Sequence, residues 1–121
     1  MEFTGRLPQR TVREHMARAH VFVLPSVRES LGTVYFEAMS VKVPVVGVRG
    51  EAIADYVTDG VDGFLIDAGD ATALLEIMRT LHRDPARRAL TGERGRALFE
   101  RSGLRWPDYV AAHVALFESL V

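Results

Sequence analysis

The chain has no cysteine. Disulfides, thiolate metal sites and cysteine nucleophiles are therefore excluded. No apolar run approaches the roughly 20 residues that span a bilayer. The opening MEFTGRLPQR lacks the apolar core of a signal peptide. A cytoplasmic location is the expectation that follows. Neither sign of charge dominates: the formal net charge is −1, so bulk charge offers no polyanion-binding surface. Internal repeats and low-complexity tracts are missing too. What remains is 121 residues, 48% of them apolar. That is one domain's worth of chain, with enough apolar material for a core and too much for disorder.

The apolar patterning alternates between strand and helix. Glu2-Phe3-Thr4-Gly5 is a short strand candidate, and Gln9 to Ala19 reads as a helix with Val12, Met16 and Ala19 on one face. Val21 to Leu24 is an apolar run closed by Pro25-Ser26, as in a strand buried on both faces of a parallel sheet. Ser30-Leu31-Gly32-Thr33 opens a helix to about Val41. A second strand, Val43 to Val48, carries its proline near the entry, where a missing N–H does least harm. Ala52 to Val57 reads as a short helix. Asp59-Gly60 and Asp62-Gly63 are turn signals before a strand at Phe64-Leu65-Ile66. Asp70 caps a helix from Ala71 to His82 that turns Leu74, Leu75, Met78 and Leu81 inward. Asp84-Pro85 starts the next helix, to about Arg101, on which Arg87, Arg88, Arg94 and Arg96 form a solvated face. A last helix, from Trp106-Pro107 to about Leu120, repeats Trp106, Val110, Val114, Phe117 and Leu120 at helical spacing, which means a packed stripe.

One stretch carries chemistry. A strand leading through a glycine-containing turn into a helix N-terminus makes an anion site, because free N–H groups and the positive dipole end converge there. Two carboxylates bracket this turn. Glu29 lies just before the helix and Glu37 lies inside it. Carboxylates repel phosphate but accept hydrogen bonds from hydroxyl groups. N–H donors between two hydroxyl acceptors fit a diphosphate flanked by two sugars, as in a nucleotide-sugar. A plainer reading stands beside this one: a solvated loop residue and a surface helix residue at this spacing by accident.

The run Pro25-Ser26-x-x-Glu29-Ser30-Leu31-Gly32-Thr33-Val34-x-x-Glu37-Ala38-Met39, followed by Pro44-Val45-Val46, resembles the family-4 glycosyltransferases of the GT-B fold. Their mark is a glutamate, seven residues and a second glutamate in this strand–turn–helix context. The resemblance continues through Asp59-Gly60-Val61-Asp62-Gly63-Phe64-Leu65-Ile66, Gly69-Asp70 and Asp84-Pro85. Upstream it includes Phe3-Thr4-Gly5 and Ala19-His20-Val21-Phe22-Val23. It covers nearly all of this chain but only part of the family's enzyme, which also has an N-terminal acceptor domain.

The resemblance implies an α/β fold: a Rossmann-like parallel sheet with flanking helices, partial, of about four strands, from the C-terminal half of a GT-B enzyme. Residues 1–121 would be a single truncated nucleotide-sugar-binding domain. Glu37 would accept hydrogen bonds from the ribose hydroxyls. Glu29, the candidate catalytic residue, would hold a hydroxyl of the transferred sugar. The backbone N–H groups of Leu31, Gly32 and Thr33 would take the sugar and diphosphate region. The reaction implied is transfer of a hexose from a UDP-, GDP- or ADP-linked donor, with retention and without a metal or other cofactor. The partners implied are the nucleotide-sugar and the acceptor domain, with no nucleic acid. Peripheral membrane contact stays open, because many members use lipid-linked acceptors.

Three departures from the family pattern matter. The family commonly carries a glycine pair in the loop after the second strand, and Arg49 replaces one of those glycines. It would either meet phosphate or serve the surface. Lys42 stands where a left-handed glycine usually ends the helix, at a cost of order 1 kcal/mol. The first two strands of the doubly wound order, and the phosphate-binding arginine and lysine upstream, are not in this chain. The strand at Phe3 must then pair differently, swap with another chain or stay poorly ordered. The chain alone is expected to bind nucleotide-sugar weakly and to transfer nothing. The alternative is a non-catalytic α/β remnant serving as an interaction or assembly module, with homo-oligomers forming through the exposed sheet edge. A sugar-nucleotide epimerase fits less well, because His15, His20, His82 and His113 are scattered over different elements.

Overall fold

The structure, a computed structural model, describes residues 1–28 and 32–120, with the backbone alone at 106, 109 and 113. Five helices and three strands follow one another as α1 (Gln9–Arg18), β1 (Phe22–Val23), α2 (Thr33–Ser40), β2 (Val45–Val48), β3 (Phe64–Ile66), α3 (Ala71–Arg83), α4 (Pro85–Arg101) and α5 (Trp106–Ser119). A 3-10 turn, Ala52–Asp55, sits between β2 and β3. The sheet is parallel, in the order β1-β2-β3. Phe22 pairs with Val45, and Val46 pairs with Phe64.

Strand alternation divides the core between two faces. Val45 and Leu65 point to one face, where they meet Tyr35, Phe36 and Met39 of α2, Met16 of α1 and Leu98 of α4. Val46, Phe64 and Ile66 point to the other, against Leu81, Leu74 and Ile77 of α3. All four residues of β2 are buried, as the central strand of a sheet covered on both sides must be.

Local signals set the helix ends. Asp70 accepts a hydrogen bond from the Ala73 N–H at 2.9 Å, and Asp84 accepts one from Arg87 N–H at 2.9 Å, with Pro85 in the first turn. Helix α2 begins at Thr33, after Gly32 with φ of 63°; Ser30 and Leu31 of the expected opening lie outside the described residues. At its other end the Lys42 N–H donates to Met39 O and the Val43 N–H to Ala38 O. This is a Schellman closure, with lysine in the left-handed position at φ 63°.

Five expectations are corrected. No strand forms at Glu2–Gly5; Phe3 is exposed, and the sheet has three strands and not four. Among the described residues, no strand pairs with this segment to complete its hydrogen bonds. Helix α1 ends at Arg18, leaving Ala19 extended and exposed. On α3 the inward stripe is Leu74, Ile77 and Leu81, while Leu75 and Met78 are exposed. Met78 instead borders an open cleft beside His20 and Val21. On α4, Arg88 and Arg96 are half-buried: Arg88 donates to Leu81 O at 2.9 Å, and Arg96 donates to Ser40 O. Each covers a carbonyl left open by a helix end. The stripe on α5 is exposed at Val110, Val114, Phe117 and Leu120. Among the described residues, no helix is long and apolar enough to cross a membrane.

Candidate functional site

The C-terminal ends of parallel strands form the natural crevice of an open α/β sheet. Here the chain leaves β1 at Leu24 and returns at Gly32 to start α2. Glycine at the N-cap brings no capping side chain, so among the described residues no side chain caps the first N–H groups of α2. Thr33 is exposed beside them. Of the residues expected here, Gly32, Thr33 and Glu37 are described, whereas Glu29 and Leu31 lie outside the described residues.

Glu37 follows Thr33 by four residues on α2, and therefore shares its face of the helix. It is half-buried. It lines a cleft of about 440 Å³ with Ser40 and with Gln9, Arg10 and Arg13 of α1. Among the described residues, no hydrogen bond or ion pair engages the Glu37 carboxylate. A half-buried acceptor without a donor is costly unless a ligand or water satisfies it. Arg10, which also lines the cleft, pairs with Glu14 at 3.1 Å on the exposed side of α1. Sequence reasoning found the apolar face of α1 and missed this one. The i, i+4 spacing of Gln9 and Arg13 was the available signal, but only tertiary packing brings it to Glu37.

Arg49 resolves between its two readings. Its Nη2 donates to Asp59 Oδ2 at 3.0 Å and to Leu65 O at 3.1 Å, and its Nε donates to Asp67 Oδ1 at 3.2 Å. The hydrogen bond to Asp59 is the largest cause that raises the guanidinium pKa above its already high ordinary value; desolvation opposes it, and the charges of Asp59 and Asp67 add to the rise. A cation so engaged is a clamp between the loops after β2 and β3, not a free phosphate ligand.

Tyr35 was also missed, because it reads as one more core residue of α2. Its side chain is buried, and its hydroxyl donates to Leu24 O at 2.6 Å. His20 and His82, read as scattered, line one cleft of about 530 Å³ with Val21 and Met78 at the opposite end of β1. Among the described residues, no three metal-ligating side chains come together.

The family model for glycosyl transferases group 1 matches residues 1–98. Sulfoquinovosyl transferase SQD2 of Arabidopsis thaliana is 37% identical over 102 residues, which is 82% of this chain and 20% of that protein. Sucrose-phosphate synthase from Thermosynechococcus elongatus superposes with a TM-score of 0.91 at 26% identity, over 98% of this chain and 30% of that one. Anabaena HepE, solved in complex with UDP-glucose, gives a TM-score of 0.69 at 28% identity, over 73% of this chain and 24% of that one. The chain thus spans 20% of the length of the plant relative.

Proposed function

Because the chain belongs to the glycosyl transferases group 1 family, we propose that it is the donor-binding part of a glycosyltransferase, holding a nucleotide-sugar whose hexose passes to an acceptor bound elsewhere. Its sheet and flanking helices are Rossmann-like and of the GT-B type. The observation that carries the reading is Glu37: a half-buried carboxylate with no donor among the described residues, on the same helical face as an open N-terminus, in a cleft large enough for a ligand.

In this reading Glu37 accepts hydrogen bonds from the ribose hydroxyls. The N–H groups at Leu31, Gly32 and Thr33 face the sugar and diphosphate. Negative charge grows on the diphosphate as the glycosidic bond breaks. Donors already in place stabilise it without reorganising, which is where such chemistry gains most. Glu29 holds a hydroxyl of the departing sugar. The family-4 assignment, the retained anomeric configuration and a reaction without metal or other cofactor belong to the same proposal. So do a cytoplasmic location, an N-terminal acceptor domain as partner, and the absence of transfer by these 121 residues alone.

Glu37→Ala tests the reading. It is expected to weaken binding of the preferred donor among UDP-glucose, GDP-mannose and ADP-glucose about a hundredfold, the worth of two hydrogen bonds to a charged group. Thermal stability should stay within about 0.5 kcal/mol of the parent. Titration calorimetry on both proteins decides it; equal affinities would remove Glu37 from the site.

A second reading, an interaction or assembly module, is favoured by the exposed apolar residues of α5. Association through the open edge of β1 belongs to it. Under that reading Glu37→Ala changes neither ligand binding nor assembly.

A further inference from the structure

We infer that Tyr35 is the positioning residue that fixes the start of α2 against the end of β1, and so aims the donor-binding N–H groups. The inference rests on the donor-site reading above. Tyr35 holds the chain on both sides of the crossing. Its Oη donates to Leu24 O at 2.6 Å, where the chain leaves the sheet. Its backbone N–H donates to Gly32 O at 3.0 Å, where the helix starts.

The ring is wedged between two glycines. A Cβ added to Gly32 would stand 2.8 Å from Tyr35 Cδ2, and one added to Gly47 of β2 would stand 3.3 Å from Cε1 and Cζ. Phe22 of β1 meets the ring edge-on, with centroids 5.7 Å apart. Gly32 therefore does two things at once: it adopts φ of 63° and lets its backbone lie on the ring. Gly47, an odd residue for a buried central strand, is explained by the same ring and by Ile53, whose Cγ2 a Cβ would approach to 2.6 Å.

Packing alone does not require the hydroxyl. A phenylalanine would fill the same space with no buried polar atom to satisfy. The hydroxyl adds a link from helix to strand, across the point where the open N–H groups begin. A site built from backbone donors binds only as well as its peptide planes are held in place.

The test is Tyr35→Phe in the 121-residue chain, with titration of UDP-glucose, GDP-mannose and ADP-glucose and amide hydrogen exchange on the same samples. We expect about tenfold weaker binding of the probe that the parent prefers. Exchange should quicken at Gly32 and Thr33 and stay unchanged at Val45, Val46 and Ile66. A purely structural tyrosine would leave the affinity of the folded variant intact, and that result overturns the inference while the donor-site reading stands. If the parent binds no probe, the donor-site reading fails, and the aiming role falls with it. Unchanged exchange at Gly32 and Thr33 would overturn the positioning role by itself, whatever the titration gives.

Discussion

Lys42 occupies the left-handed position that closes α2, and its φ of 63° is unfavourable for any residue with a Cβ. The family resemblance pointed to this, because members usually carry a glycine after this helix and this chain has Lys42 there. Two backbone hydrogen bonds hold the turn: Lys42 N–H to Met39 O at 2.9 Å and Val43 N–H to Ala38 O at 3.1 Å. The lysine ammonium also pairs with Glu93 at 2.8 Å, but both side chains are more than half exposed, so the pair contributes only about 0.2–1 kcal/mol. The backbone term is the larger. Lys42→Gly should stabilise the protein by about 0.5 kcal/mol, after the lost pair and the greater freedom of the unfolded glycine are set against the relieved strain. A urea titration checks this: the midpoint should rise with an unchanged slope. A lower midpoint would mean that the ion pair outweighs the strain. Tyr35 shows the opposite degree of legibility. Nothing in a pattern of apolar spacings separates a tyrosine that fills the core from one that ties a helix to a strand.

Helix α4 lies at backbone distance on the turn that closes α2 and on the turn before β3, and its glycines permit it. A Cβ on Gly92 would fall 2.1 Å from Lys42 O, and one on Gly95 would fall 3.1 Å from Asp62 O. Both glycines, and Thr91 beside Gly92, are buried. The obstacle at Gly92 is a main-chain carbonyl in a hydrogen-bonded turn, which cannot rotate away as a side chain would. Gly92→Ala should therefore destabilise by about 2–3 kcal/mol, despite alanine's better helix propensity. Arg94→Ala, on the exposed side of the same helix, should change stability by no more than about 0.5 kcal/mol. Thermal melts of the two variants should differ by about 10 °C or more; equal melts would mean that the helices are not seated this closely. The span of α4 was readable because its signals are local: Asp84 caps, Pro85 starts, and the helical period follows. Its seat on α2 was not, although two glycines inside a helix, each costing about 1 kcal/mol against alanine, hint at a close approach. The inward face of α3 went astray for a related reason. Leu75 and Met78 are apolar, but which flank of a stripe is covered depends on what lies beside β1, and periodicity carries no information about that.

Across the molecule, the candidate site and the buried core draw on the first hundred residues, and α5 stands apart. No described side chain of α5 belongs to either core cluster. Val110, Val114, Leu116, Phe117 and Leu120 are all exposed, Phe117 at 67% and Leu120 at 74%. An isolated helix of this length is marginal in water, and its stability comes from burying an apolar face. The helix and its stripe were legible beforehand because both are written in spacing. The position of Glu37 was legible in the same way, as one glutamate at a set distance along a helix. Its neighbours Gln9 and Arg13 were not, since they come from a separate element. If the α5 stripe contributes nothing to the body, ending the chain after Leu104 should leave the melting temperature within about 3 °C. The exchange protection of Val45, Val46 and Ile66 should be unchanged as well. The same truncation should reduce concentration-dependent association in sedimentation velocity, because it removes the largest run of exposed apolar side chains. A truncated chain that lost its cooperative melt would place α5 inside the folded unit, and an unaltered sedimentation profile would move the sticky surface to the open edge of β1.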